Sequence, residues 1–414
     1  MFPAFTPLRG PELELTQRLV QIPSLTPTQP DLLDAVGEAL RLCQAAAPSA
    51  NAYWVAGRDT NPSTRPVFPY EVPNLVLVWG NPQQAGGLCF LGHVDVVPVA
   101  KQTWQRNPFG GEIADGILWG RGATDMKGAV AAFLVAAEAV FLQRPERPIY
   151  AVITGDEEWG SPAGTLAGLQ TLHELGAHPA AFLVGEPSSQ QAFGTGLKLG
   201  RRGSFNLALT LRGQSGHVAY PALFSNPLEH PQLGPLIGRL ATLAFADGNP
   251  PSGMPATRAT LTSVVADGGS TSIVPASAEM RLNFRYTPQQ TPEGLWQQVA
   301  ALVAEMGLAE WVTITANLAV GRHQNPYLNQ PGPLHQALVA TLTDLVGAPP
   351  RTDAEGGLTD GRHVHKVFPG AEVVECGPPE QPYGAGGMHQ ADEGIRLDDL
   401  ANLRHVYQQV MKAL

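Results

Sequence analysis

Ala151-Val-Ile-Thr-Gly-Asp-Glu-Glu-Trp-Gly160 opens as an apolar, β-branched run and ends in three acids, Asp156, Glu157 and Glu158. The run Ala151 to Thr154 reads as a buried strand. Acids where a buried strand stops are expected to face a cleft, because desolvating them elsewhere is costly. Adjacent residues on an extended backbone point to opposite sides. Glu157 and Glu158 are therefore expected to do different jobs, one holding a cation and the other moving a proton.

Working outward, the same arrangement recurs. The apolar run Gly87 to Gly92 leads into Gly92-His-Val-Asp-Val-Val-Pro98. His93 and Asp95 are two apart on an extended segment and share a side, and a carboxylate beside an imidazole is the usual device for fixing a metal-binding histidine. Asp125, in Gly122-Ala-Thr-Asp-Met-Lys-Gly128, sits just before a helix predicted from Ala129 to Phe141. A strand from Ala180 to Val184 ends in Gly185-Glu-Pro-Ser-Ser189. Strands alternating with helices, with reactive residues just past the strand ends, give the α/β pattern, whose ligands bind outside the strand C-termini.

The texture changes after Gly200. Runs at 203–211, 259–265, 278–286 and 311–316 alternate like half-exposed strands, with helices expected at 231–245 and 291–306. That order predicts a small α+β, ferredoxin-like sandwich. The expected division is a catalytic domain at 1–202 and 318–414, with an inserted domain at 203–317. The predicted catalytic sheet is mixed and flanked by helices, among them 12–22, 31–47 (Asp31 as a possible cap), 163–175, 332–346 and 397–412. A proline-rich loop is expected at 58–73.

A chain of 414 residues exceeds one ordinary core. Its net charge of -10 argues against a nucleic-acid partner, which needs a basic face. Cys43, Cys89 and Cys376 lack metal-ligand spacing and read as free thiols of a reducing compartment. The N-terminus lacks a signal-peptide pattern, and no apolar run is long enough to span a membrane. The expectation is a cytoplasmic enzyme without membrane contact.

Histidines with several carboxylates suit zinc, and neither HExxH nor a cysteine motif is present. Magnesium is the alternative for a purely carboxylate site. One unligated glutamate would serve as general base.

With GHVDVVP, GRGATDMKG, TGDEEWGS, GEPSS and the late GMHQADE in place, the chain closely resembles the dinuclear-zinc deacylases and exopeptidases. That family includes succinyl-diaminopimelate desuccinylase, acetylornithine deacetylase, aminoacylase and the glutamate-releasing carboxypeptidases. The resemblance covers nearly the whole chain. It implies two Zn²⁺ per subunit, with Co²⁺ able to substitute. His93 and Glu186 would bind one, His389 and Glu158 the other, and Asp125 would bridge them with a cis peptide to Met126. It further implies that Asp95 orients His93, that Glu157 is the general base, and that the inserted domain forms a homodimer or lid. His217 would then reach across the dimer to the oxyanion.

Within the family the desuccinylases are most similar, through Gly200-Arg-Arg-Gly-Ser204, Gly213 to Pro221, Arg285 and Gly356 to Arg362. The resemblance implies that Arg201, Ser204, Tyr220, Arg285 and Gly357 help hold substrate; guanidinium forks suit carboxylates. The chain departs from that subfamily at Thr271 and Leu358, in a longer glycine-rich segment at 378–387, and in the loop at 58–73. The expected activity is hydrolysis of the amide of an N-acyl amino acid, with succinyl-diaminopimelate as leading substrate. Acetylornithine, other N-acyl amino acids or a dipeptide follow, and a non-catalytic binding protein on the same fold is the rival of a different class.

Overall fold

The central strands of the main sheet are apolar on both faces because each face feeds a different core. The computed structural model describes residues 10–26, 29–57, 70–160, 164–247, 253–316 and 324–414; most of the proline-rich stretch at 58–73 lies outside them. The chain divides into two compact units, one of residues 1–200, 328–353 and 359–414, the other of 201–327 and 354–358. The second thus begins two residues earlier than the alternating pattern suggests, runs ten residues further, and takes back a short later segment.

In the first unit the sheet has eight strands, in the order 51–57, 72–79, 149–154, 88–93, 181–184, 372–375, 196–198, 351–353. The three central strands, Leu88–His93, Ile149–Thr154 and Ala181–Val184, run parallel, with 149–154 and 181–184 on either side of 88–93. Alternation then sorts their side chains. Leu75, Leu77, Phe90, Ala151, Ile153 and Leu183 face a core shared with helices Pro11–Gln21, Leu33–Ala45, Gly128–Phe141, Pro333–Val346 and Leu397–Ala413. Val76, Cys89, Leu91, Val152, Phe182 and Val184 face a second core with Leu169 and Leu172 of helix Gly164–Glu174. Continuous apolar strands are what burial on both faces demands.

Helix Gly128–Phe141 is apolar almost all round and buried over most of its length. Its one charged residue, Glu138, accepts from Trp79 Nε1 at 3.0 Å. Phe133 stacks on Phe90 at 4.3 Å, and Tyr407 meets both edge-on. Phe133→Ala is expected to lower stability by about 3–5 kcal/mol, because a fully buried ring leaves a cavity there. A denaturant midpoint unchanged from wild type would contradict this packing account.

The second unit has an antiparallel sheet in the order Arg258–Val265, Ser277–Tyr286, Gly203–Arg212, Val312–Ala316. With helices Leu233–Ala241 and Pro292–Glu305 it forms the βαββαβ sandwich that the alternation predicts. Phe205, Leu207, Leu209, Met280, Leu282 and Phe284 pack with helix residues Leu236, Leu240, Leu295 and Val299. The intervening strand residues are less buried and largely polar, among them Ser204, Asn206, Asn283, Arg285 and Arg258.

Local boundaries differ where short-range signals conflict. Asp31 does not cap a helix; it lies in the 3₁₀ turn Pro30–Leu32, and the helix starts at Leu33 without a side-chain cap. The expected helix at 231–245 shortens to Leu233–Ala241. The edge strand Asn51–Gly57 has no counterpart in the sequence reading.

Candidate metal centre

Strand register builds the site. Leu91 pairs with Val184 across the parallel strands, so His93 and Glu186 each stand two residues beyond the same rung. His93 also pairs with Thr154, which leads through Gly155 and Asp156 to Glu157 and Glu158. Asp125 comes from the tight turn 123–127 ahead of the buried helix, and its peptide bond to Met126 is cis. Met126 tucks beneath the sheet ends where Gly92 and Gly185 leave room. A Cβ on Gly185 would lie 2.6 Å from Met126 Cε and 2.5 Å from Phe90 Cζ. His389 belongs to a turn in which it and Asp392 both adopt positive φ, 62° and 52°.

These residues converge as two sets that share Asp125. His93 Nε2 lies 3.3 Å from Asp125 Oδ1 and 3.5 Å from Glu186 Oε1. His389 Nε2 lies 3.4 Å from Asp125 Oδ2 and 3.0 Å from Glu158 Oε2. Ligand atoms of His93, Asp125 and Glu158 fall within 4.8 Å of one another, as do those of His93, Glu157 and Glu186. His93 Nε2 and Asp125 Oδ1 are buried without a hydrogen bond. An imidazole nitrogen and a carboxylate oxygen left without donors, inside a group of acids, is the donor set that a divalent cation satisfies.

The electrostatics agree. Burial, then the Asp125 charge, lifts the Glu186 carboxyl to about 7. Burial, then Glu186 and Asp360, pushes Glu157 well above the usual carboxylate range. Hydrogen bonds to Asp125 and Glu158 raise His389 to about 10. A bound dication would invert this logic, replacing repulsion among the acids by attraction to the ion.

Two local expectations are corrected. Glu157 and Glu158 do not lie on extended backbone; they occupy the 3₁₀ turn Glu157–Trp159, and that turn rather than the strand pleat sets their directions. Asp95 does not reach His93 chiefly through its carboxylate. His93 Nδ1 lies 2.9 Å from the Asp95 carbonyl oxygen and 3.5 Å from Oδ1. The carboxylate instead accepts the N–H groups of Glu157 and Glu158, at 3.0 and 3.1 Å. Asp95 thereby pins the turn that carries both glutamates, and its own backbone fixes the imidazole.

The remaining expected site residues belong to the second unit. Ser204 and Arg285 are register partners, as are Arg285 and Arg258. Ser204 Oγ accepts from Asn283 at 3.2 Å. Burial and then the neighbouring Arg202 lower the Arg285 guanidinium. Arg201 is buried and donates to the Glu355 carbonyl at 2.8 Å, so part of its fork is already engaged. Gly357 is exposed. His217 and Tyr220 are exposed, with rings 5.9 Å apart. Gly216–His217 pairs with Ile273–Val274, which sets the Ser270-Thr271-Ser272 turn beside His217. Sequence reasoning missed Arg121 and Glu393, a buried pair at 2.5 Å next to Asp125; their partners lie too far apart in the chain for any spacing rule to show them.

The sequence profile of peptidase family M20/M25/M40 matches residues 89–413. A succinyl-diaminopimelate desuccinylase of Stutzerimonas stutzeri is 35% identical over 409 residues, 98% of either chain. One from Alkalilimnicola ehrlichii is 37% identical over 348 residues, 83% of this chain and 88% of the other. Among solved structures, a metallo-carboxypeptidase of Sulfolobus solfataricus superposes with a TM-score of 0.76 at 18% identity, covering 97% of this chain and 99% of that one.

Proposed function

The chain belongs to peptidase family M20/M25/M40, and on that footing we propose that it is a zinc-dependent amidohydrolase that removes the succinyl group from succinyl-diaminopimelate. The observation that carries the chemistry is the shared carboxylate: Asp125 offers one oxygen to each of two histidines, while Glu157 stands beside them outside either ion-paired set. The substrate follows the desuccinylase relatives at 35% and 37% identity.

In this reading His93, Asp125 and Glu186 hold one Zn²⁺, and His389, Asp125 and Glu158 the other. When bound, the ions supply Lewis acidity toward the amide carbonyl and toward water. Glu157 accepts a proton from the attacking water and returns it to the departing amine nitrogen. Asp95 keeps Glu157 and Glu158 in fixed relation by holding their backbone N–H groups. His217 is assigned to the oxyanion, and Arg201, Ser204, Tyr220, Arg285 and Gly357 to the substrate's polar groups. The arginine neighbours Arg202, Arg258 and Arg285 favour a substrate rich in carboxylates. The second unit is assigned to homodimer formation, and the protein to the cytoplasm, in keeping with three buried free cysteines.

The test is a panel assay of the zinc-loaded protein on succinyl-diaminopimelate, acetylornithine, other N-acyl amino acids and dipeptides. A strong preference for the succinyl substrate is expected. A preference for another acyl-amino acid would sink the substrate assignment and mark Thr271 and Leu358 as a re-specified pocket.

A further inference from the structure

We infer that Glu393 is a positioning residue for the metal centre, holding the Asp125 backbone and, through Arg121 and Gln102, the His389 turn at their mutual spacing. The inference rests on the reading of His93, Asp125, Glu158, Glu186 and His389 as metal ligands. Glu393 and Arg121 are 0% and 1% exposed, so neither is a surface charge that water could serve. Three donors converge on the Glu393 carboxylate. Oε1 accepts the N–H groups of Thr124 and Asp125, each at 3.1 Å, and Oε2 accepts from Arg121 Nη1 at 2.5 Å. Arg121 in turn donates to the Gln390 carbonyl at 3.2 Å and to Gln102 Oε1 at 2.9 Å. Gln102 closes the circuit by donating to the His389 carbonyl at 2.7 Å. Asp392 ties the same turn down by accepting the N–H groups of Gln105 and Arg106.

This circuit addresses a specific difficulty. His389 and Asp392 hold left-handed backbone, which is uncommon for non-glycine residues though less so for His and Asp, and which anchoring contacts help to hold. His93 and Glu186 need no such help, since hydrogen-bonded strands set them. The His389 side of the centre therefore depends on the circuit more than the His93 side does. Only an ionised carboxylate serves all three donors. A glutamine has one acceptor oxygen and an NH₂ group, so in either orientation an N–H faces the guanidinium or the two amides.

The test is titration of Zn²⁺ into metal-free wild type, Glu393→Gln and Gln102→Ala against a chromophoric chelator, with melting curves of the metal-free forms. Wild type is expected to take two equivalents. Glu393→Gln should keep one near wild-type affinity and bind the second about 10–100-fold more weakly, the usual cost of losing a residue that supports a ligand. Gln102→Ala, a substitution at an exposed residue, should weaken the same equivalent by a smaller factor at an unchanged metal-free melting temperature. Two equivalents at wild-type affinity in both variants would overturn the inference. Failure of wild type itself to take two would instead remove the metal reading beneath it. Should Glu393→Gln not fold, unchanged second-metal affinity in Gln102→Ala would overturn the inference alone.

Discussion

Glu157→Gln is expected to lose turnover by about 10²–10⁴-fold while binding metal as wild type does, the range general acid–base catalysis commonly supplies. The substitution keeps the side chain's length and shape, and the backbone stays fixed because Asp95 Oδ1 holds the residue 157 N–H rather than its side chain. What disappears is the oxygen that, on the proposed reading, accepts and returns a proton. The loss should therefore fall on kcat, with KM little changed, since a group needed mainly in the transition state does not contribute to ground-state binding. Steady-state kinetics beside metal analysis separates the outcomes. A wild-type rate would show that another group moves the proton. A lost rate accompanied by lost metal would make Glu157 a ligand, which its place within 4.8 Å of His93 and Glu186 atoms makes a fair rival.

Asp125→Ala is expected to be more damaging still, at about 10³-fold or more in turnover together with loss of the two-metal load. Each oxygen of this carboxylate approaches a different histidine. Without it, His93 keeps only Glu186 among its close acidic neighbours in that set, and His389 only Glu158. Two side chains fall short of the three that zinc takes in hydrolytic sites. Metal content after exhaustive dialysis is the direct readout. A variant that still carried two equivalents would mean that Asp125 bridges nothing.

Much of this could be read without coordinates, for a physical reason. Runs such as Ala151–Thr154 and Gly87–Gly92 are apolar throughout, and that pattern followed by an acid or histidine has few explanations. His93 and Glu186, selected in that way, stand 3.5 Å apart, whereas His389, in a glycine-rich loop, is reached only through the family resemblance. The illegible parts are those whose reasons are not local. Strands 117–119 and 394–396 are too short to show a period, yet their pairing carries the His389 turn toward Asp125. Asn51–Gly57 is an edge strand with mixed burial, so its composition does not announce it. The carboxylate of Asp95 lies 3.5 Å from its histidine as a spacing of two suggests, but its shorter hydrogen bonds come from N–H groups 62 and 63 positions away, which no local spacing shows. The Glu393 circuit joins residues nearly 270 positions apart, where sequence separation carries no geometric information.

The strand order has a bearing on how the chain comes off the ribosome. Glu372–Glu375 sits between Ala181–Val184 and Gly196–Lys198, so those two strands cannot close into one sheet until the polypeptide beyond residue 372 has been made. Contacts this distant in sequence form slowly, because a long loop must be ordered before they return any energy. His389 emerges later again. On the proposed ligand assignment, a chain that has not yet reached His389 can therefore assemble at most the His93 and Glu186 half of the centre.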